Sequence, residues 1–276
     1  MRILSLLFCV FLFQISVTAQ EIEVMTYNIK YANENDGENS WSKRKDWITN
    51  QIHFYEPDVL GVQEALKSQL DHFTDHITSY KMLGVGRDGE DKGEYSAILY
   101  KQEKFEVLES NTFWLSETPD KISIGWDAAL NRICTYALFE DKASGKKFWI
   151  FNTHFDHMGE KARLESSRLI VQKIKAMNQE DLPVFLMGDF NLEPDTEGVG
   201  SILSYLDDAK QEAEYTFGPA GTFNGYNFSE PVTRRIDCIF INDKVEVEKY
   251  AVISDSKDLK YPSDHLPVLV KAKLIE

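Results

Sequence analysis

Short runs of β-branched and aromatic residues recur along the chain. Each is closed by Gly, Pro, Asn or Asp, and that punctuation predicts strands. Nine runs stand out: IEVMTYNI (22–29), DVLGVQE (58–64), YSAILY (95–100), RICTYALFE (132–140), KFWIFNTHF (147–155), PVFLMGDF (183–190), RRIDCIFI (234–241), VEKYAVI (247–253) and LPVLVKAKL (266–274). Between some of them the hydrophobic period lengthens to that of a helix. Residues 42–55 put Trp47, Ile48, Ile52 and Tyr55 on one face and stop before Pro57. Leu66, Leu70, Phe73 and Ile77 form a second stripe. A third helix is expected over 160–178, with Leu164, Val171, Ile174 and Met177 inside, and a shorter fourth over 202–209. Many strands with few helices predict two packed sheets covered by helices, in one domain over 20–276.

The first residues do not belong to that pattern. MRILSLLFCVFLFQISVTA (1–19) has one basic residue, an apolar run and a small-residue exit at Ala19. This predicts a secretory leader and hence a secreted or periplasmic protein. The run is shorter than the ~20 residues a permanent span needs, and no later stretch is long enough to span either.

The formal net charge is −15, and loss of Arg2 with the leader makes it one unit more negative. Such a surface disfavours loose, charge-driven binding to nucleic acid. It does not exclude a metal-dependent nuclease, because a divalent cation changes the local field. Cys134 and Cys238 sit inside apolar runs and read as buried thiols. An exported setting also permits a disulfide between them.

Polar residues gather where strands end. Asn28 comes late in MTYNI, Glu64 ends LGVQE, and Asn152, His154 and Asp156 share one parity in FNTHFDH. Asp189 and Asn191 follow the apolar PVFLM. Asp237 interrupts RIDCIFI, where a lone carboxylate is costly unless a partner meets it. Asp264 and His265 stand directly before LPVLV. Taken singly, each has a plain reading as a strand-end hydrogen bonder, cap or core histidine. Asp189-x-Asn191-x-Glu193 opens like a calcium loop, but Pro194 occupies the place of the required Gly. His72 and His76 are four apart on the second helix and read as a solvated face rather than a zinc site.

Taken in order, TYNIKY, GVQE, NTHFDH, GDFN, RRIDCIF and SDHLPV resemble the endonuclease/exonuclease/phosphatase family, the fold shared with deoxyribonuclease I. The resemblance implies a four-layer αββα sandwich of α+β class, with mixed sheets and the active site at one end. It implies a hydrolase using Mg²⁺ or Mn²⁺, with Glu64 as principal metal ligand, Asn28 beside it and Asp264 near a second ion or water. It further implies that Asp189 activates the attacking water and Asn191 donates to phosphate. His265 contacts phosphate or water, Asp237 orients His265, and His154 adds a phosphate contact.

Arg132 and His157 are expected at the same mouth. Phe223, Tyr226 and Trp126 are candidate aromatic contacts to substrate, with ordinary loop packing as their alternative. Many relatives carry an acidic metal ligand where this chain has Lys30; a cation there cannot ligate a metal, which puts a full second metal site in doubt, and a substrate phosphate is an alternative partner for it. The expected partner is a phosphate ester: nucleic acid, lipid headgroup or a small diester. No obligate protein partner is implied. The leading expectation is cleavage of a phosphodiester, nuclease- or sphingomyelinase-like. The alternatives are a phosphomonoesterase of a sugar or inositol phosphate on the same fold and a non-catalytic binding module.

Overall fold

A computed structural model describes residues 20–275, so the leader expected over 1–19 lies outside the described residues. Numbered along the chain, one sheet holds β1 (Gln20–Asn28), β2 (Val59–Ala65), β3 (Tyr80–Leu83), β4 (Tyr95–Lys101), β10 (Tyr215–Phe217), β12 (Val245–Val252) and β13 (Val268–Leu274). Its spatial order is β10-β12-β13-β1-β2-β4-β3. The other holds β5 (Phe105–Trp114), β6 (Ile133–Asp141), β7 (Lys147–His154), β8 (Val184–Asp189), β9 (Asp207–Asp208) and β11 (Asp237–Ile241), ordered β5-β6-β7-β8-β11-β9. β1 pairs with β2 in parallel, as β7 does with β8, while β13 and β11 flank these pairs antiparallel. Both sheets are therefore mixed.

Alternation along each strand divides its side chains between two cores. Ile22 and Val24 of β1, Phe148 and Ile150 of β7, Phe185 and Met187 of β8, and Ile239 and Ile241 of β11 fill the space between the sheets. The opposite parity of β1, Met25 and Tyr27, packs under α1 (Trp41–Tyr55) and α2 (Lys67–His76). Phe151, Leu186 and Phe240 pack under α3 (Glu160–Met177) and α4 (Glu197–Leu203). The result is four layers, helix, sheet, sheet and helix. Asn152 ties the sheets where they approach: its Nδ2 donates to Val62 O (3.1 Å) and Ala97 O (2.8 Å), and its Oδ1 accepts from Gln63 Nε2 (2.7 Å).

Asn28, His154, Asp189 and Asp237 keep the parity that faces the other sheet, but they lie at the end where apolar residues stop. Strand geometry alone thus delivers four polar side chains to one end of the inter-sheet space.

All nine expected strands form, though β11 starts at Asp237 because Arg234 pairs instead with Phe223. The fourth helix differs from expectation. α4 begins after Thr196 and ends at Leu203, and the chain then straightens so that Asp207 and Asp208 pair with Ile241 and Phe240 before the one-turn α5 (Ala209–Glu212). β5 was missed because it is a mostly exposed edge strand whose alternation slips between Val107 and Glu109. The short β3, β9 and β10 carry too few residues for a pattern. His72 is not solvated as expected: its ring meets the Trp41 edge, and its Nε2 lies 3.1 Å from Thr49 Oγ1. Cys134 and Cys238 are buried free thiols separated by β7 and β8. Among the described residues no helix is long and apolar enough to cross a membrane.

Candidate active site

Asp189, the last residue of β8, is the centre of the polar cluster. Its Oδ2 accepts from Asn28 Nδ2 (3.0 Å), and its Oδ1 accepts from the Asn191 backbone N–H (2.9 Å). His154 Nε2 lies 3.4 Å and His265 Nε2 3.8 Å from Asp189 Oδ2. Gly188 makes this placement affordable to the backbone: its φ is +150°, and a Cβ there would stand 2.0 Å from Thr153 O.

Glu64 reaches the cluster through an irregularity. The β2–β4 register shifts between Val62 and Ala65, and Glu64 itself has φ +61°. The bulge turns its carboxylate toward β1. There Oε1 accepts from Asn28 Nδ2 (3.1 Å) and Oε2 from Tyr31 N (3.2 Å). Asn28 therefore enters the cluster as a donor bridging Glu64 and Asp189, while its oxygen is taken by Lys30 N (3.1 Å). Lys30 Nζ lies 3.6 Å from Glu64 Oε2 and 3.7 Å from Asp264 Oδ2.

His265 is buried at the opposite wall, with Nδ1 2.8 Å from Asp237 Oδ2 and the Phe223 ring edge-on at 5.0 Å. Burial opposes its charge, yet Asp237 and Asp189 prevail and push it up to about 10. Asp189 is pushed up to about 7, first by burial and then by Asp237, against the pull of His265. Burial raises Glu64 too, but Lys30, His265, Asn28 and the Tyr31 N–H outweigh it and hold it below the usual carboxylate value. Asp264 is raised by burial and by Glu64, with His265 and Lys30 opposing. His154 is driven well below its ordinary value by burial, then by Arg132 and His265, so it is neutral. An amide N–H can only donate, so the 3.2 Å contact from Asn191 Nδ2 makes His154 Nε2 the acceptor.

Asp189, Asp237 and His265 offer metal-ligating atoms within 4.8 Å of one another. Within this group His265 Nδ1 is already paired with Asp237 Oδ2 at 2.8 Å. Glu64 and Asp264 are the hard-oxygen donors beside it, and such donors suit Mg²⁺ or Mn²⁺.

The remaining expected residues fall into two groups. Arg132 is buried next to His154; its Nε donates to Asp156 Oδ1 (3.3 Å) and one terminal nitrogen lies 3.0 Å from His157 Nδ1. His157 is half-exposed beside it. The aromatic candidates stand otherwise. Phe223 packs between His265 and Arg234, and Tyr226 packs over Arg44. Trp126 lines a groove against Glu165, Arg168 and Lys173 of α3, so the fold does not bring it to the cluster.

Sequence reasoning passed over the residues that hold this end together. Buried Arg44 of α1 donates to Ile29 O and Pro262 O (both 2.9 Å), Asn39 O (2.6 Å) and Lys30 O (3.2 Å). Ser263 Oγ donates to Asn28 O (2.7 Å), and Thr222 Oγ1 accepts from Asp237 N (3.1 Å). Gln69 Nε2 donates to Lys30 O (3.0 Å). The one available signal was an arginine inside an otherwise amphipathic helix.

A family model described as Endonuclease/Exonuclease/phosphatase family matches residues 25–265. Among solved structures, a Bacteroides thetaiotaomicron protein of that family superposes with TM-score 0.90 at 36% identity, covering 94% of this chain and 99% of that one. A mannosyl-6-phosphatase from the same organism superposes with TM-score 0.88 at 38% identity, covering 91% and 99%. Two curated relatives also match. An uncharacterised protein of Acanthamoeba polyphaga mimivirus is 34% identical over 55% of this chain, and a probable RNA exonuclease of Schizosaccharomyces pombe is 27% identical over 66%. The chain spans 60% and 38% of the lengths of these two relatives.

Proposed function

The chain belongs to the endonuclease/exonuclease/phosphatase family, and from that premise we propose that it is a divalent-metal-dependent phosphatase removing phosphate from a phosphorylated sugar. Hydrolysis of a phosphoester follows from the family itself. The choice of a monoester rests on one observation: the similarity to the mannosyl-6-phosphatase runs at 38% identity across 91% of this chain and 99% of that one. The acidic surface, net −15, points the same way, since a polyanionic chain would be repelled by it.

In this reading Glu64, with Asp264 beside it, holds the ion, and Asn28 orients Glu64. A bound divalent cation supplies charge neutralisation on the phosphate. Asp189 sits at the end of a rigid strand, oriented by Asn28 and the Asn191 N–H, and takes the proton of the attacking water as the new O–P bond forms. The P–O bond to the sugar breaks, and the sugar oxygen leaves as an alcohol that takes its proton from solvent. His265, kept cationic by Asp237, faces Asp189 and the phosphate oxygens. Asn191 and Arg132 contact the phosphate from the β7 side, with neutral His154 accepting from Asn191 and so positioning it, His157 at the rim and Lys30 opposite. Phe223 supports His265 rather than stacking on substrate.

The test is turnover of mannose 6-phosphate, glucose 6-phosphate, bis-p-nitrophenyl phosphate, single-stranded RNA and sphingomyelin, each with Mg²⁺, Mn²⁺ or chelator. Release of phosphate from the sugars, abolished by chelator, is the expected result. Cleavage of diesters alone overturns it. That outcome is the second reading, favoured by the RNA exonuclease relative. Export belongs to the proposal as well: the mature protein recovered from outside the cytoplasm should begin at Gln20.

A further inference from the structure

We propose that Lys30 is a two-position cation: its ammonium neutralises Glu64 and Asp264 until a divalent ion binds there, and is then released toward the substrate phosphate. The inference rests on the reading above, in which those two carboxylates hold the ion.

Its basis is a contrast between backbone and side chain. The Lys30 backbone is fixed in the left-handed region, φ +56°, which L side chains rarely adopt. Its N–H donates to Asn28 Oδ1, and its carbonyl accepts from both Arg44 (3.2 Å) and Gln69 (3.0 Å), two buried side chains from different helices. The ammonium is held far less tightly. At 3.6 Å and 3.7 Å from two carboxylate oxygens it lies outside the usual ~2.7–3.2 Å hydrogen-bond range. The field of the two acids holds it there, rather than a bond to either. Its side chain is 24% exposed, against 13% for Glu64 and 12% for Asp264, so it closes the cluster from the solvent side. The Tyr31 ring, 4.6 Å from Nζ, gives the cation a surface along which to swing.

Two effects of opposite sign follow from one charge. Lys30 competes with a metal for the same oxygens, so it weakens metal binding. Once displaced, it is a positive charge on a flexible stem at the mouth of the site, and an anion is its natural partner. Metal and phosphate binding are then linked through this residue.

The experiment measures binding of Mn²⁺ alone, and of inorganic phosphate at saturating Mn²⁺, by calorimetry. Lys30→Met should bind Mn²⁺ about tenfold more tightly and phosphate about tenfold more weakly than the parent. Lys30→Arg keeps the charge and adds a bidentate fork, so its Mn²⁺ affinity should fall below the parent's. In the unaltered protein, addition of Mg²⁺ should speed acetylation of the Lys30 amine several-fold by peptide mass spectrometry, a readout that needs no variant. Unchanged or weaker Mn²⁺ binding by Lys30→Met, unaltered phosphate binding, or an acetylation rate indifferent to Mg²⁺ would each overturn the proposal. The underlying reading fails separately, if Glu64→Gln binds Mn²⁺ as the parent does or if the parent hydrolyses no sugar phosphate.

Discussion

His265 Nδ1 stands 2.8 Å from Asp237 Oδ2, while its Nε2 faces Asp189 Oδ2 at 3.8 Å. One imidazole is shared between a carboxylate that anchors it and a carboxylate poised to take a proton. Asp237 Oδ1 is buried without a hydrogen-bond partner, so the compensation for burying Asp237 comes largely from His265. Each of these two residues explains the other.

The activity should follow a bell in pH. Asp189 must be ionised to accept a proton, and its carboxyl is pushed up to about 7; His265 must stay charged, and it is held to about 10. The rate kcat/KM should rise through the first and fall through the second. Both limbs are read from a pH–rate profile, and Asp237→Asn should move the alkaline limb to lower pH.

Stability in chelator carries the opposite dependence at low pH. Both groups are raised above their ordinary values, 3.8 for Asp189 and 6.5 for His265. Between 3.8 and about 7, and between 6.5 and about 10, the folded protein holds protons the unfolded chain has lost. The contribution of each is complete below its ordinary value and disappears as pH rises through its raised one. The melting temperature from these groups should therefore decline on going from pH 6 to pH 10, and Asp189→Asn should flatten the acid part of that decline.

Asp189→Asn should cut turnover by about 10²–10⁴-fold with Mn²⁺ affinity mostly retained. Removing a charge beside Asp237 should leave the melting temperature equal or higher. Single-turnover kinetics and metal titration on the same sample separate the two effects; parental activity in this variant would mean a different base.

Gly188→Ala should destabilise the protein by about 3 kcal/mol or more, because the added Cβ meets backbone, Thr153 O at 2.0 Å, rather than a yielding side chain. Urea unfolding measures the loss. Gly145→Ala is the contrast: φ +72° is also unfavourable, but nothing lies within 4 Å, so the cost should be about 1 kcal/mol.

Arg44→Met should cost about 3–4 kcal/mol, since the carbonyls of Ile29, Asn39 and Pro262 lose this donor while Lys30 O keeps Gln69. It touches no substrate in the proposed site, so any loss of kcat beyond the unfolded fraction would report displacement of Asn28 and Asp264.

Six short motifs identified the family; β-branched and aromatic runs closed by Gly, Pro, Asn or Asp located nine strands, and the helical period located three of the helices. Periodicity worked wherever a strand was buried on both faces, as in β8, because the whole run is then apolar. It failed at β5, whose edge position relaxes the alternation, and at α4, where Thr196 begins the helix and the pairing of Asp207 and Asp208 with β11 ends the helical path early. Trp126 is open in the sequence between a substrate contact and ordinary loop packing, and its ring lines a groove with Glu165, Arg168 and Lys173 of α3.

What the sequence determined by itself was which residue types close each strand, because apolar burial dictates where a strand can run and therefore where it must stop. Only the tertiary structure decided how those ends meet. The bulge that turns Glu64 toward Asn28, the arginine that draws the β1 end to the 262 turn, and the ammonium set between Glu64 and Asp264 all depend on contacts between segments far apart in the chain. No local period encodes such contacts; they exist only once two sheets have packed and forced their polar ends into one shared, nearly dry space.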